Sequence, residues 1–198
     1  MSKGAENERD LAKTLSEWWS PGRQDIFWRV LGSGSRAKSR GRKGLETYGS
    51  AGDIVAVDPI GTPFTEMFTV EAKKGYPSTQ ANPFEAIDRI KPLKPTKSNF
   101  DGWINQVEES SKQAKTPYWM IVFRRYRRKE MVCMPGVVCG PSGPFTATDR
   151  YGLRGAKSAT IQGEIAGTDR RLEFFPLDEL LAYMTPDMVI KANKRRRK

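Results

Sequence analysis

An α/β sandwich, a mixed β-sheet flanked by helices, is the fold class predicted by this 198-residue sequence. Three observations predict it. Leu11, Leu15, Trp18 and Trp19 recur at helical spacing and define one apolar face over residues 5–19. Runs rich in branched and aromatic residues follow at "DIFWRVL", "DIVAV" and "MFTVEAK", and read as strands. A second helical segment, Phe100–Lys115 with Trp103, Val107 and Ala114 on one side, precedes "PYWMIVFRRY", which is apolar on both faces as a central strand must be. The order helix–strand–strand–strand–helix–strand calls for one sheet covered by helices.

The remaining segments fill in around this frame. "SPGRQ" breaks the opening helix. "GSGSRAKSRGRKGLETYGSAG" lacks apolar anchors and carries Arg36, Lys38, Arg40, Arg42 and Lys43, so it reads as a flexible basic loop. "DIVAV" and "MFTVEAK" read as the two strands of a hairpin. The proline-punctuated stretch after Gly75 reads as loop with a short helical turn over 84–90. "MVCMP" and "RRLEFF" read as further strands, and "PLDELLAYM" as a short helix. Residues 135–168 read as an irregular elaboration with room for one hairpin. Residues 1–190 then form a single domain, and 191–198 a solvated basic tail.

Composition narrows the function. The formal charge of +11 favours a polyanionic partner, because each neutralised phosphate releases condensed counterions. No apolar run approaches a membrane span, so no membrane association is expected. Cys133 and Cys139 make a poor disulfide framework and read as reduced thiols of an intracellular, cytoplasmic chain. The sequence contains no histidine, which removes Ser-His triads and histidine-metal nuclease motifs together. Catalysis would have to run on carboxylates, lysine and metal-bound water.

Two places offer such groups. On the first helix, Glu8 falls at 100° per residue inside the arc of Leu11, Ala12, Leu15 and Trp19. A carboxylate there is costly unless it is paired, holds a cation or escapes to solvent near the helix start. On the strand "FTVEAKK", alternation puts Thr69, Glu71 and Lys73 on one face, aiming a carboxylate and an ammonium into the same space. Asp53 opens the neighbouring strand, where an antiparallel pairing would bring its oxygens near Glu71. By itself an E-x-K equally describes a solvent-facing ion pair. Together, the carboxylates form a hard oxygen set suited to Mg²⁺, with Mn²⁺ able to substitute. Such a crowded cluster predicts raised carboxylate pKa values when no metal is bound.

The residues resemble a known family. "G-D-(x17)-E-A-K", with Gly52 in place of the usual proline, resembles the core of the PD-(D/E)xK nuclease superfamily. "KGAENERDL" and "WRVLGSGS" resemble the opening helix and Ser/Gly-rich loop of archaeal-type Holliday junction resolvases, including phage or viral members. The resemblance covers about the first 75 residues and implies a restriction-endonuclease-like core. It implies Glu8, Asp53, Glu71 and the Ala72 carbonyl as metal ligands, and Lys73 as the catalytic lysine. It further implies phosphate contacts from Arg9 and Arg29, and a loop serine, Ser33 or Ser35, near the scissile bond. The longer basic loop and residues 135–168 have no counterpart in the family pattern.

Lys74 adds to the basic side of the motif. Arg124, Arg125, Arg127, Arg128 and Lys129 surround Tyr126, which suits either a backbone-binding edge with a stacking aromatic or a solvated turn. The tail suits a DNA tether or a nuclear import signal. The expected protein is a Mg²⁺-dependent DNA endonuclease resolving four-way junctions by paired nicks, hence a homodimer. The alternatives are a restriction-like or repair nuclease acting on duplex or flapped DNA, and a non-catalytic nucleic-acid-binding protein on a nuclease fold.

Overall fold

The computed structural model describes residues 3–30, 52–74, 99–124, 129–139, 143–145, 158–165 and 168–197. The basic loop with Ser33, Ser35 and Arg36 to Lys43, the turn expected over 84–90, and Arg125, Arg127 and Arg128 lie outside them.

The chain begins with helix α1 (Lys3–Trp19), followed by strands β1 (Phe27–Arg29) and β2 (Ile54–Ala56). A 3₁₀ turn (Pro59–Gly61) and helix α2 (Thr62–Met67) lead into β3 (Phe68–Lys74). Helix α3 (Asn99–Ala114) precedes β4 (Tyr118–Arg124) and β5 (Glu130–Pro135). After β6 (Ala159–Ile165) and β7 (Thr168–Pro176), the chain ends in helices α4 (Leu177–Tyr183) and α5 (Pro186–Arg196). The five-stranded sheet has the order β3-β4-β5-β7-β6. β3 runs parallel to β4, and the other pairs are antiparallel. No helix among the described residues is long and apolar enough to cross a membrane.

β4 carries both cores, which explains its unbroken apolar run. Its Met120 and Val122 face a cluster with Leu11, Leu15, Phe64 and Val70, beneath α1 and α2. Its Trp119, Ile121 and Phe123 face Phe100, Trp103, Ile104 and Val107 of α3. Phe64 is fully buried and meets Trp18, Trp19, Phe27 and Phe68 with ring centroids 5.3–6.1 Å apart. Ser16 fixes α1 to β1, because its buried hydroxyl donates to the Ala12 carbonyl and accepts the Phe27 N–H at 2.9 Å. That tie sets Arg29 of β1 beside Glu8 of α1.

Two expectations are corrected, and one is made specific. β2 and β3 are not a hairpin: β2 pairs antiparallel with β1, and the neighbour of β3 is the parallel β4. The intervening residues have structure of their own. Asp58 caps the 3₁₀ turn by accepting the Ile60 N–H, and prolines in the first turns preset the helical φ. Residues 135–168, read as irregular with room for one hairpin, do contain strand β6, which forms a hairpin with β7 paired from Ala159↔Phe174 to Ile165↔Thr168. The tail is helical as far as Arg196, because Thr185 caps α5 and Pro186 begins it. α5 docks through buried Val189, Ala192 and Asn193, and the Asn193 amide donates to Glu66 of α2 at 2.7 Å.

Candidate active site

The site is built on the outer edge of β3. In a strand the N–H and C=O of one residue point to the same side, and alternate residues point to opposite sides. The Val70 carbonyl accepts the Asp53 N–H at 2.7 Å, so the Val70 side faces away from β4. Two residues on, the Ala72 N–H donates to Asp53 Oδ2 at 2.9 Å, and the Ala72 carbonyl faces the same edge. Asp53 is also held by the residue that follows β1, where the Val30 N–H donates to its carbonyl at 2.9 Å. Its carboxylate is thereby fixed against the middle of E-x-K.

Gly52 makes that approach possible. It has φ +80°, and a Cβ there would stand 2.7 Å from the Val70 carbonyl oxygen. Proline, with φ locked near −65°, could not occupy this position, which gives the physical reason for the departure from the motif.

Glu71 and Lys73 lie on the α3 face. Glu71 is 2% exposed. Its Oε2 accepts from Lys73 Nζ at 2.8 Å and from Gln106 Nε2 at 2.9 Å, and its Oε1 accepts from the Ser110 hydroxyl at 3.3 Å. Gln106 also accepts from Lys73 Nζ at 3.2 Å. Burial, then the Asp53 charge, pushes the Glu71 carboxyl above its ordinary range, and Lys73 only partly offsets this.

Glu8 stands at the rim, half-buried, with Oε2 3.6 Å from Arg29 Nη1. Burial and the Asp53 charge raise its pKa, while Arg29 and Lys73 oppose the shift. Glu8 therefore does not escape to solvent but is half-buried and paired with Arg29. Arg9 turns back along α1, its Nε donating to the Ala5 carbonyl at 3.2 Å. Lys74 and Arg124 are register partners at the ends of β3 and β4, which sets two cations side by side just past Lys73.

Gln106 and Ser110 were not anticipated from the sequence. They are one helical turn apart on α3, and a polar i, i+4 pair beside an apolar stripe is the signal that could have found them.

The donor chemistry fits a hard dication: carboxylate oxygens and a strand carbonyl share one edge, and two carboxyls have raised pKa values from crowding and burial. As oriented here, no three Asp, Glu, His or Cys side chains among the described residues are gathered closely enough to hold an ion. Glu71 is instead directed at Lys73, Gln106 and Ser110.

A mixed sheet flanked by helices, with Asp53 bound against an edge strand bearing E-x-K, is a restriction-endonuclease-like core. The model of a family described as "Phage putative PDDEXK endonuclease" matches residues 1–139, well over half of the chain, and the chain belongs to that family. Membership makes it a nuclease of the PD-(D/E)xK type, a class that generally uses divalent metals and binds DNA. The matched region ends before β6, β7, α4 and α5. No curated protein and no solved structure matches the chain.

Proposed function

We propose that this chain is a Mg²⁺-dependent DNA endonuclease that hydrolyses phosphodiester bonds at the edge of β3. The observation that carries the reading is the bond from the Ala72 N–H to Asp53 Oδ2, which joins the lone aspartate to the E-x-K strand. Asp53, Glu71 and the Ala72 carbonyl would hold the cation, with Glu8 at the rim, and Mn²⁺ would substitute. When bound, the cation lowers the pKa of a water and neutralises charge on the scissile phosphate. Lys73, steadied by Glu71 and Gln106, orients the attacking water or offsets charge on the phosphate. Arg29 and Arg9 beside Glu8, and Lys74 with Arg124 beyond Lys73, contact the flanking backbone, with Ser33 or Ser35 near the scissile bond.

The substrate proposed is a four-way DNA junction. Support comes from the ordered set of motifs in the first 75 residues: the E-R helix, the Ser/Gly loop, then D and E-x-K. Resolution requires two symmetric nicks, so the working form would be a two-fold dimer. The test incubates the protein with a synthetic junction, a flap and a linear duplex, with Mg²⁺ or with chelator. Paired nicks confined to the junction are expected. Cutting of all three substrates would replace the resolvase by a general nuclease.

A further inference from the structure

We infer that a basic cleft on the far flank of α3 is a second binding site for nucleic-acid backbone phosphate, separate from the cutting edge. The cleft has a volume of about 650 Å³, and among the described residues Lys112, Lys115, Arg170 and Arg196 line it against one carboxylate, Glu108. These cations come from α3 and its C-terminal turn, from β7 and from α5, so the fold gathers them from three separate parts of the chain.

Helical geometry separates the cleft from the candidate active site. At 100° per residue, the buried Phe100, Trp103, Ile104 and Val107 define the core-facing line of α3. Gln106 and Ser110 lie about 90° to one side of that line and bond to Glu71. Glu108 and Lys112 lie about 90° and about 130° to the other side, Lys115 follows the end of the helix, and all three line the cleft. The two sites are therefore about one helix diameter apart, on the order of 10 Å, which is about three base-pair steps of a duplex.

Two details fit an anion site. Glu108 is ion-paired with Arg170, which spends the one carboxylate on holding a guanidinium in the wall. Lys115 has φ 57°, and the Thr116 N–H donates to the Ser111 carbonyl at 3.1 Å, a helix-ending turn whose usual occupant at that position is glycine. A lysine in left-handed backbone places a basic residue in the cleft wall where glycine would fit with less strain. The choice of DNA as the source of the phosphate rests on the proposed function; the cleft and its charge do not.

The test measures binding of the full chain to a 20-base-pair duplex in chelator, across a series of salt concentrations. Lys112→Ala, Arg196→Gln and Lys115→Gly should each lower the slope of log affinity against log salt by about one, and weaken binding about fivefold to tenfold at 0.1 M salt. Lys115→Gly should do so with an unchanged or higher Tm, which a folding defect would not produce. Lys13→Ala, an exposed charge on α1, should leave the slope unchanged. Wild-type slopes in the three cleft variants would overturn the inference, as would an equal loss in Lys13→Ala, which would mark a diffuse charge effect. Cleavage is read separately: a wild type that cuts while the slopes stay unchanged removes the cleft alone, and altered slopes without cleavage remove the nuclease reading alone.

Discussion

Gln106 of α3 donates its side-chain amide to Glu71 Oε2 at 2.9 Å, and the same side chain accepts from Lys73 Nζ at 3.2 Å. One amide thus sets the orientation of both members of E-x-K. Gln106→Ala is expected to lower kcat about tenfold to a hundredfold with little change in KM for DNA, because misplacing a reacting group by about 1 Å has effects of this size. Single-turnover kinetics check it. A loss confined to KM would instead make Gln106 a DNA contact.

Gly52 is the second fixed point. Gly52→Ala brings a Cβ to 2.7 Å from the Val70 carbonyl and forces a side chain into φ +80°. It is expected to cost about 1–3 kcal/mol and to slow cleavage at least about tenfold by displacing Asp53. Denaturant unfolding and cleavage rate, measured on the same preparation, test both halves. Wild-type values for both would remove Gly52 from the account.

The raised pKa of Glu71 has a signed consequence. The folded state retains a proton that the unfolded chain releases at an ordinary glutamate pKa of 4.5. That contribution to stability is full below the ordinary value and is lost as pH rises through the raised one. Glu71→Gln needs no proton, so in metal-free buffer its Tm relative to the wild type should increase as pH rises from about 4 to about 8. Melting curves at stepped pH decide this; a difference independent of pH would contradict the shift.

Phe64 tests the core that supports the edge. It is fully buried among Trp18, Trp19, Phe27 and Phe68. Phe64→Ala should destabilise by about 3–5 kcal/mol in urea unfolding. A loss below about 1 kcal/mol would mean that this cluster collapses around the gap.

Much of this was legible in the sequence where the periodicity is long. α1, α3 and β4 follow from their apolar spacing, and Glu71 and Lys73 stand out because the ends of E-x-K on a strand must share one face. A β2–β3 hairpin treats "DPIGTPFTEM" as a turn, whereas Asp58, Pro59 and Pro63 are start signals for a 3₁₀ turn and a helix. The basic tail hid α5 for a related reason: charge masked the cap at Thr185 and the docking residues Val189 and Ala192. β6 is legible only as room for a hairpin among Gly, Ser and Thr, because its alternation is interrupted by Gly163. Gln106 and Ser110 were invisible because their role depends on how α3 lies over β3, which is tertiary information.

The central claim is metal-dependent cleavage at the edge of β3, and Glu71→Ala with junction DNA tests it most directly. The wild type should nick the junction in Mg²⁺ and stop in chelator, while Glu71→Ala should bind the junction within about threefold of wild type and leave it uncut. Cleavage that survives in Glu71→Ala, or a wild type that binds the junction and never cuts it in Mg²⁺ or Mn²⁺, would contradict the account.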